Sequence, residues 1–225
     1  MDTRTNNLSY IPFYFFVLLV VTVPLAVTMY FENPVDLVKM SAFIITGSFF
    51  IIFSIVILTE DKLRNKSKFS FTINRSIDIP VLLFLTAAVV STIFSINPKV
   101  SVFGQYQRQI SLITFLYLVV IYFLSTGILT DKKRFKIFFL LAEVIAVVVS
   151  LYSFVQLSGN DPFGIHQPGI DRPGSTFGNA VFFGGFLTLI FPFSALNISA
   201  KNNKIFKVLF PVIILGGIIV SGTRS

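Results

Sequence analysis

Apolar residues run in long stretches along this chain, and short polar segments separate them. The stretches are Tyr10–Tyr30, Leu37–Leu58, Ile79–Ile96, Ile110–Leu129, Phe135–Leu157, Ala180–Ile198 and Ile205–Val220. An α-helix needs about 20 apolar residues to cross a hydrocarbon layer of ~30 Å. We therefore predict an all-α fold, a polytopic transmembrane helix bundle of about seven spans. It would form a single transmembrane domain over residues 1–225, with an extracytoplasmic loop over residues 158–179.

Composition supports a membrane protein and excludes several kinds of site. Hydrophobic residues make up 54% of the chain, charged residues make up 12%, and the mean hydropathy is +0.84. A soluble domain needs more polar surface than this. The chain has no cysteine, which excludes disulfides and metal–thiolate centres, and its one histidine, His166, excludes a site built from several histidines. We therefore expect no metal and no cofactor.

The positive charges indicate the orientation in the membrane. The net charge is +8, but no basic groove with interleaved aromatic residues is visible, so we expect no nucleic-acid partner. Thirteen cations fall in the N-terminal segment and in alternate loops. Five fall on the other side, at Lys39, Lys99, Arg108, Arg172 and Arg224. Because cytoplasmic loops carry the excess of Lys and Arg, this bias predicts a cytoplasmic N-terminus, with membrane lipids as partners.

Three arginines remain on the side that this orientation makes extracytoplasmic. Arg108 and Arg172 precede the fourth and sixth spans, both of which enter the membrane from that side, and Arg224 follows the seventh. A helix N-terminus carries about half a positive charge and unpaired N–H groups, and a guanidinium adds a planar fork of donors. Snorkelling to the interface explains each arginine alone equally well. Together they predict a site for a phosphate or diphosphate group.

The segment RPGSTFGN, residues 172–179, has further features of an anion site. Its glycines, Gly174 and Gly178, let backbone amides approach a ligand closely, and Ser175 and Asn179 are good N-cap residues. We therefore predict that the substrate-binding residues are Arg108, His166, Gly174, Ser175, Gly178 and Asn179.

Three segments of the chain follow, in order, the patterns of one known family. They are residues 77–118, which end in STIFSINPKVSVFGQYQRQISLITFLYL, then RPGSTFGNAVFFGGFLTLIFPF at residues 172–193, and VSGTRS at the end of the chain. They resemble the O-antigen ligase and O-antigen polymerase family of bacterial membrane glycosyltransferases. In that family a span ends in a pattern of the type St.fS.np..S.fG...R..Gl, an R..G.fgN element opens a later helix, and an S.sRs element closes a span.

The resemblance implies an activity and a glycosyltransferase-C-like fold. Such an enzyme moves a glycan from undecaprenyl diphosphate to a lipid A core, polysaccharide or protein acceptor at the outer face of the bacterial inner membrane. The implied partners are the undecaprenyl-diphosphate-linked glycan donor and that acceptor. Because the diphosphate is the leaving group, positioned cations lower the barrier. By resemblance and by position, Arg172 and Arg224 are the catalytic candidates, and Arg108 is the third choice.

The chain departs from the family pattern in places. Ser111 stands where glycine is common, and residues 180–181, Ala-Val, replace a polar pair. The family continues through further spans and a large outer loop with a catalytic histidine, which would lie beyond Ser225. We therefore expect the chain to be the N-terminal part of a longer protein and to be inactive by itself. His166 matches no family motif, and it is either a solvated loop residue or a contact for the acceptor.

Two other functions stay open at this point. A transporter or flippase for a lipid-linked or anionic substrate needs ionisable groups near the midplane of the membrane. Glu143, in LLAEVIAVVV, is the one carboxylate well inside a predicted span, although a hydrogen bond between packed helices explains it as well. A non-catalytic membrane scaffold would leave the three outer arginines unexplained.

Two pairs of small residues are spaced four apart in the last two spans. They are Ala180 with Gly184, and Gly217 with Ser221. Small residues at this spacing let helix backbones approach closely in a bilayer. We therefore predict close helix packing at these positions.

Overall fold

The protein is helical throughout the part that the structure describes. The computed structural model describes residues 10–28, 35–63, 74–105, 109–165, 172–196 and 204–223. The helices are α1 (Ile11–Leu25), α2 (Asp36–Leu63), α3 (Arg75–Ile93), α4 (Pro98–Phe103), α5 (Leu112–Ile128), α6 (Lys132–Leu157), α7 (Ala180–Ala195) and α8 (Lys204–Ser221). A 3₁₀ turn, Ser175–Phe177, precedes α7. No strand occurs in these ranges, so the predicted all-α fold is confirmed for them.

Each predicted span contains one apolar helix, although the helices differ in length. By length and composition, α2, α3 and α6 can cross a membrane, while α1, α5, α7 and α8 are apolar but shorter. α7 begins at the predicted residue, Ala180, whereas α3 begins at Arg75, before the predicted start at Ile79. The apolar helices indicate a membrane protein. The count of seven spans and the glycosyltransferase-C-like architecture stay predictions.

Polar residues just before the helices determine where several of them begin. The side chains of Asn74, Asn97, Ser111 and Asn179 accept hydrogen bonds from amides in the first turns of α3, α4, α5 and α7. Such a cap satisfies an N–H group that the start of a helix leaves without a partner, and it contributes about 1 kcal/mol. The predicted capping role of Asn179 is confirmed, since its Oδ1 accepts from the Val181 amide at 2.8 Å.

The described helices fall into two compact units. The first contains the start of α1 up to Phe16, the part of α2 from Ile44, and α3 to α5. The second contains the remainder of α1, the part of α2 up to Phe43, and α6 to α8. The prediction of a single domain over residues 1–225 stays a prediction.

Hydrogen bonds from tyrosines hold α5 in the first unit. The Tyr117 hydroxyl donates to the Ile44 carbonyl of α2 at 2.8 Å. The Tyr122 hydroxyl donates to the Asp78 carboxylate of α3 at 2.7 Å. Because polar groups in apolar surroundings need partners from the protein, these bonds fix α5 against both neighbours.

In the second unit, α6, α7 and α8 pack around an apolar core. Val149 on α6, Phe183 and Leu187 on α7, and Ile214 on α8 are completely buried. Lipid is as apolar as these side chains, so burial alone does not drive the helices together in a bilayer. Close van der Waals packing and hydrogen bonds must therefore supply most of the association.

Small residues bring α7 and α8 into direct contact. A Cβ atom built on Gly217 would lie 2.7 Å from Leu187 Cδ1, and one on Gly184 would lie 2.7 Å from Ser221 Oγ. Both distances are too short for van der Waals contact, so neither position has room for a side chain. Gly217 lies against Leu187, whereas Ser221, later in α8, lies against Gly184, earlier in α7. The two helices are therefore antiparallel. The predicted close packing is confirmed at Gly184, Gly217 and Ser221.

Replacing Gly184 by alanine should destabilise the protein, whereas the same change at Gly185 should not. The methyl group at position 184 would meet Ser221 and Thr223, and overpacking of this kind costs about 1–3 kcal/mol. Within the described residues no atom lies within 4 Å of a Cβ at Gly185, where alanine gains about 0.5–1 kcal/mol of helix propensity. Thermal unfolding in detergent measures both effects. Equal unfolding midpoints for the two variants would contradict the close contact between α7 and α8.

Candidate functional site

The site residues predicted from the sequence fall into two groups. Arg172, Gly174, Ser175, Gly178 and Asn179 lie in one turn between α6 and α7, and the structure describes them. Arg108, His166 and Arg224 lie outside the described residues. The candidate site is therefore built from the turn at residues 172–179 and the helices around it.

Ser175 anchors the turn to α6. Its amide donates to Gln156 Oε1 at 2.8 Å, and its hydroxyl donates to the Val149 carbonyl at 2.6 Å. Ser175 is completely buried, and its φ of +51° lies in the left-handed region that residues other than glycine rarely adopt. The two bonds to α6 hold the residue in this strained conformation.

The next two residues attach the turn to α1 and α2. The Thr176 hydroxyl donates to the Pro24 carbonyl near the end of α1 at 2.8 Å. The Lys39 ammonium on α2 lies 5.0 Å from the centre of the Phe177 ring. The same ammonium donates to the Val23 carbonyl at 2.9 Å and to the Pro24 carbonyl at 2.6 Å. The Pro24 carbonyl therefore accepts from both the turn and α2.

The half-buried Lys39 is stabilised by these contacts. The last carbonyls of a helix have no donor within the helix, and the C-terminus of a helix favours a cation. A hydrogen bond to a charged group contributes about 1.5–3 kcal/mol, and a cation–π contact from which water is excluded contributes about 2 kcal/mol. Together these contacts offset the cost of removing the lysine from water.

The two glycines of the turn are required by the packing of the chain itself. A Cβ atom on Gly174 would lie 2.5 Å from the Asn179 nitrogen, and one on Gly178 would lie 2.8 Å from Val35 Cγ2. Gly178 also has a φ of +64°. The close approach predicted for a ligand at these positions is therefore made here by other parts of the protein.

Three amides of the turn also have acceptors within the protein. The Phe177 amide donates to the Gly174 carbonyl at 3.0 Å, and the Gly178 amide donates to the Ser175 carbonyl at 3.4 Å. The Ser175 amide is bonded to α6, as described above. These three amides are therefore not available to an anion, and Arg172 supplies the positive charge of the described turn.

Arg172 lies beside a cavity of about 650 Å³ between α7 and α8. Its Nη1 donates to the Gly222 carbonyl at 3.1 Å, and the side chain is exposed. Gly222, with a φ of +58°, makes room for the arginine, because a Cβ there would lie 2.8 Å from Arg172 Cδ. A guanidinium has five N–H donors. Within the described part of the chain, Gly222 is the one hydrogen-bond acceptor that Arg172 reaches, so donors remain for a ligand.

The walls of this cavity are mostly apolar. The lining residues besides Arg172 are Val181, Gly184, Gly185, Thr188 and Leu189 of α7, and Ile218, Gly222 and Thr223 at the end of α8. Residues 181–189 extend ~12 Å along their helix. Because Gly222 follows the end of α8 and α8 is antiparallel to α7, the guanidinium lies near the start of α7. A cavity with a guanidinium at one end and apolar walls along its length fits a molecule with an anionic head and a hydrocarbon body.

A chain of hydrogen bonds extends from the turn to Asp161. Gln156 Nε2 donates to Asp161 Oδ2 at 3.4 Å, and the Tyr152 hydroxyl donates to Asp161 Oδ1. The Phe163 amide donates to Oδ1 as well, at 3.2 Å. Because Gln156 is 3% exposed, these bonds connect Ser175, α6 and the segment after α6 through a buried side chain.

Glu143, the carboxylate inside α6, is buried as well. It is 3% exposed, and it has an interaction partner in the protein. Glu143 is not among the residues that line the cavity beside Arg172. The structure therefore gives it no part in the candidate site.

Sequence reasoning missed two residues that hold the turn, Lys39 and Gln156. From the sequence, Lys39 was recognised only as one of the five cations on the predicted extracytoplasmic side. Its position was an available signal, because a lysine in the first turn of a span can reach the carbonyls that end the preceding span. Gln156 is the one glutamine in α6, and a lone amide near the end of an apolar helix is a similar signal.

No protein-family model, no curated protein and no solved structure matches this chain. A function must therefore be argued from the geometry of the turn and the cavity, together with the sequence patterns.

Replacing Gln156 by leucine should loosen the turn. Without Oε1 the buried Ser175 amide loses its acceptor, which costs about 1–3 kcal/mol. Gln105→Leu makes the same change at an exposed glutamine and serves as the control. Thermal unfolding in detergent and hydrogen exchange over residues 173–178 measure the effect. Exchange at Ser175 that is as slow in Gln156→Leu as in the parent protein would exclude this bond as an anchor.

Proposed function

We propose that this protein is an O-antigen ligase-like membrane glycosyltransferase. It transfers a glycan from undecaprenyl diphosphate to a lipid A core, polysaccharide or protein acceptor. The reaction takes place at the outer face of the bacterial inner membrane, and the N-terminus is cytoplasmic. The ordered resemblance of three segments to the ligase and polymerase family supports this proposal, and so does the geometry around one of those segments, residues 172–193.

The observation that carries the proposal is the position of Arg172. Its guanidinium lies beside a cavity with mostly apolar walls and, among the described residues, makes one hydrogen bond, to the Gly222 carbonyl. A diphosphate on a long hydrocarbon chain has the same division into a charged head and an apolar body. An arginine stays protonated, and its planar fork of donors matches phosphate oxygens. The arrangement therefore suits a lipid-borne diphosphate better than a free sugar.

The reaction requires positioned charge. The acceptor hydroxyl oxygen bonds to the anomeric carbon of the glycan while the bond from that carbon to the diphosphate oxygen breaks. Negative charge then builds on the departing diphosphate, and Arg172 lowers the barrier by stabilising this charge. By resemblance, Arg224 supplies a second cation and Arg108 a third. None of the described residues is assigned as the base that takes the acceptor proton.

The buried Glu143 favours a second candidate, a transporter or flippase for a lipid-linked or anionic substrate. Such a protein could use the same cavity and the same arginine. The two functions differ in their products, because an enzyme releases undecaprenyl diphosphate and a transporter leaves the lipid-linked glycan intact. Assays of glycan transfer therefore distinguish them.

Arg172→Ala should lower glycan transfer about 10²–10³-fold, because a well-aligned donor to the leaving group is lost. Arg224→Ala should act similarly. Transfer is measured with the full-length protein in membrane vesicles, using a labelled undecaprenyl-diphosphate-linked glycan, and is normalised to the amount of protein in the membrane. Lys99→Ala, an exposed cation on the same predicted side, is the control and should leave transfer unchanged. Undiminished transfer in both arginine variants would remove their assigned role.

A tryptophan at Gly185 should fill the cavity and lower transfer. Gly185 lines the cavity and has open space around it, so a large side chain can enter without meeting the core. Val208→Trp places the same ring at an exposed position of α8 that does not line the cavity. We expect transfer to fall about 10- to 100-fold for Gly185→Trp, since displacing a substrate by ~1 Å has effects of this size. The control should transfer normally.

The same pair of variants allows a binding measurement, because the natural sequence has no tryptophan. Undecaprenyl diphosphate should change the fluorescence of an indole at position 185 and not of one at position 208. Equal transfer and equal fluorescence responses in the two variants would exclude this cavity as the lipid site.

A further inference from the structure

We propose that Lys39 is a positioning residue for Arg172, an inference that rests on the proposed function. Lys39 does not line the cavity, and its ammonium is bound to carbonyls of α1, so it does not contact the ligand itself. It acts through the turn that carries Arg172. The contacts that transmit its effect can be followed in three steps.

The first step is the attachment of Lys39 to α1. An ammonium has three donors. Two of them reach the carbonyls of Val23 and Pro24 at 2.9 and 2.6 Å, and the Phe177 ring lies 5.0 Å from the nitrogen. The start of α2, the end of α1 and the turn therefore meet at one cation.

The second step passes from this cation to the turn. Thr176 donates to the same Pro24 carbonyl at 2.8 Å, and Phe177 lies against the ammonium. The 3₁₀ turn is closed by the bond from the Phe177 amide to the Gly174 carbonyl at 3.0 Å. The contact with the ammonium therefore acts on the closed 3₁₀ turn and not on a single side chain, in addition to the two bonds that anchor Ser175 to α6.

The third step passes from the turn to Arg172. Pro173, which is completely buried and whose ring fixes φ, joins Arg172 to Gly174. This short, stiff connection makes the start of the Arg172 side chain follow the turn. The far end of that side chain is held by the Gly222 carbonyl at 3.1 Å. The guanidinium is thus positioned from two sides, by the turn at the start of the side chain and by the Gly222 carbonyl at its far end. Lys39 contributes to the first of these.

The anchoring of the turn can be tested without any assumption about function. Lys39→Met removes the charge and keeps much of the length, Lys39→Arg keeps a cation with donors, and Lys99→Met is the control at an exposed lysine. In detergent micelles we expect amide hydrogen exchange over residues 173–178 to be about 10- to 100-fold faster in Lys39→Met, because bonds to a charged donor are lost. Lys39→Arg and Lys99→Met should exchange like the parent protein. Unchanged exchange in Lys39→Met would overturn the proposal.

The connection to Arg172 needs a second measurement, the dissociation constant for undecaprenyl diphosphate. Lys39→Met should weaken binding about tenfold in the parent protein, and Lys39→Arg should restore it. In the Arg172→Ala background, Lys39→Met should weaken binding no further, because residues that act through one another are not additive. A merely structural role would weaken binding equally in both backgrounds, and that result would overturn the positioning role.

Thr176 provides a second route to the same test if Lys39→Met does not fold. Thr176→Val removes the bond to the Pro24 carbonyl and retains the shape, whereas Thr176→Ser retains the hydroxyl. Faster exchange over residues 173–178 in Thr176→Val alone would support the proposal, and equal exchange in the two variants would overturn it. A parent protein that binds no undecaprenyl diphosphate would overturn the proposed function, while the exchange experiment would still decide whether Lys39 holds the turn.

Discussion

A backbone amide or carbonyl that lies outside the hydrogen bonds of a helix and is buried within the protein needs a partner from the protein itself, because water does not reach it. This requirement organises the second unit. The Ser175 amide obtains its acceptor from Gln156, and the Pro24 carbonyl obtains its donors from Lys39 and Thr176. The turn before α7 is therefore a junction at which several helices satisfy one another, and the candidate site is built on that junction.

Two cations on the same predicted side of the membrane thus have different tasks. Lys39 makes contacts to carbonyls and an aromatic ring, which fix the helices. Arg172 makes one described hydrogen bond and lies beside a cavity. The difference follows from their surroundings. A compact ammonium fits among carbonyls at the end of a helix, whereas a guanidinium keeps several donors directed outward. Net charge and loop position cannot distinguish these two roles.

The sequence was informative wherever the deciding interactions are local. The length of the apolar stretches predicted the helices, and Asn179 was recognised as a cap because its partner, Val181, is two residues away. The close packing at Gly184 and Gly217 was also predicted correctly. Each glycine is four residues from another small residue in the sequence, and this spacing places both on one face of a helix. α3 begins earlier than predicted because Asn74 caps it and the carboxylate of Asp78 has partners, so polar residues are included in the helix.

The remaining features depend on residues that are distant along the chain. Thr176 and Pro24 are 152 residues apart, and nothing in a single sequence connects them. Gly174 and Gly178 show a related limit. Their lack of side chains indicates that something approaches closely, but the sequence does not say whether this is a ligand or, as the structure has it, Asn179 and Val35. The anchoring role of Ser175 was hidden for the same reason, since its partners belong to another helix.

Because three successive residues of the turn are attached to three different helices, the length of the turn is constrained. Ser175, Thr176 and Phe177 each contact a different helix, so adding or deleting one residue within the turn would shift all three out of register together. Substitutions on the outward faces of the helices change only local contacts. The protein should therefore tolerate very few insertions or deletions between Arg172 and the start of α7. It should tolerate the exchange of one apolar residue for another in the surrounding helices much better.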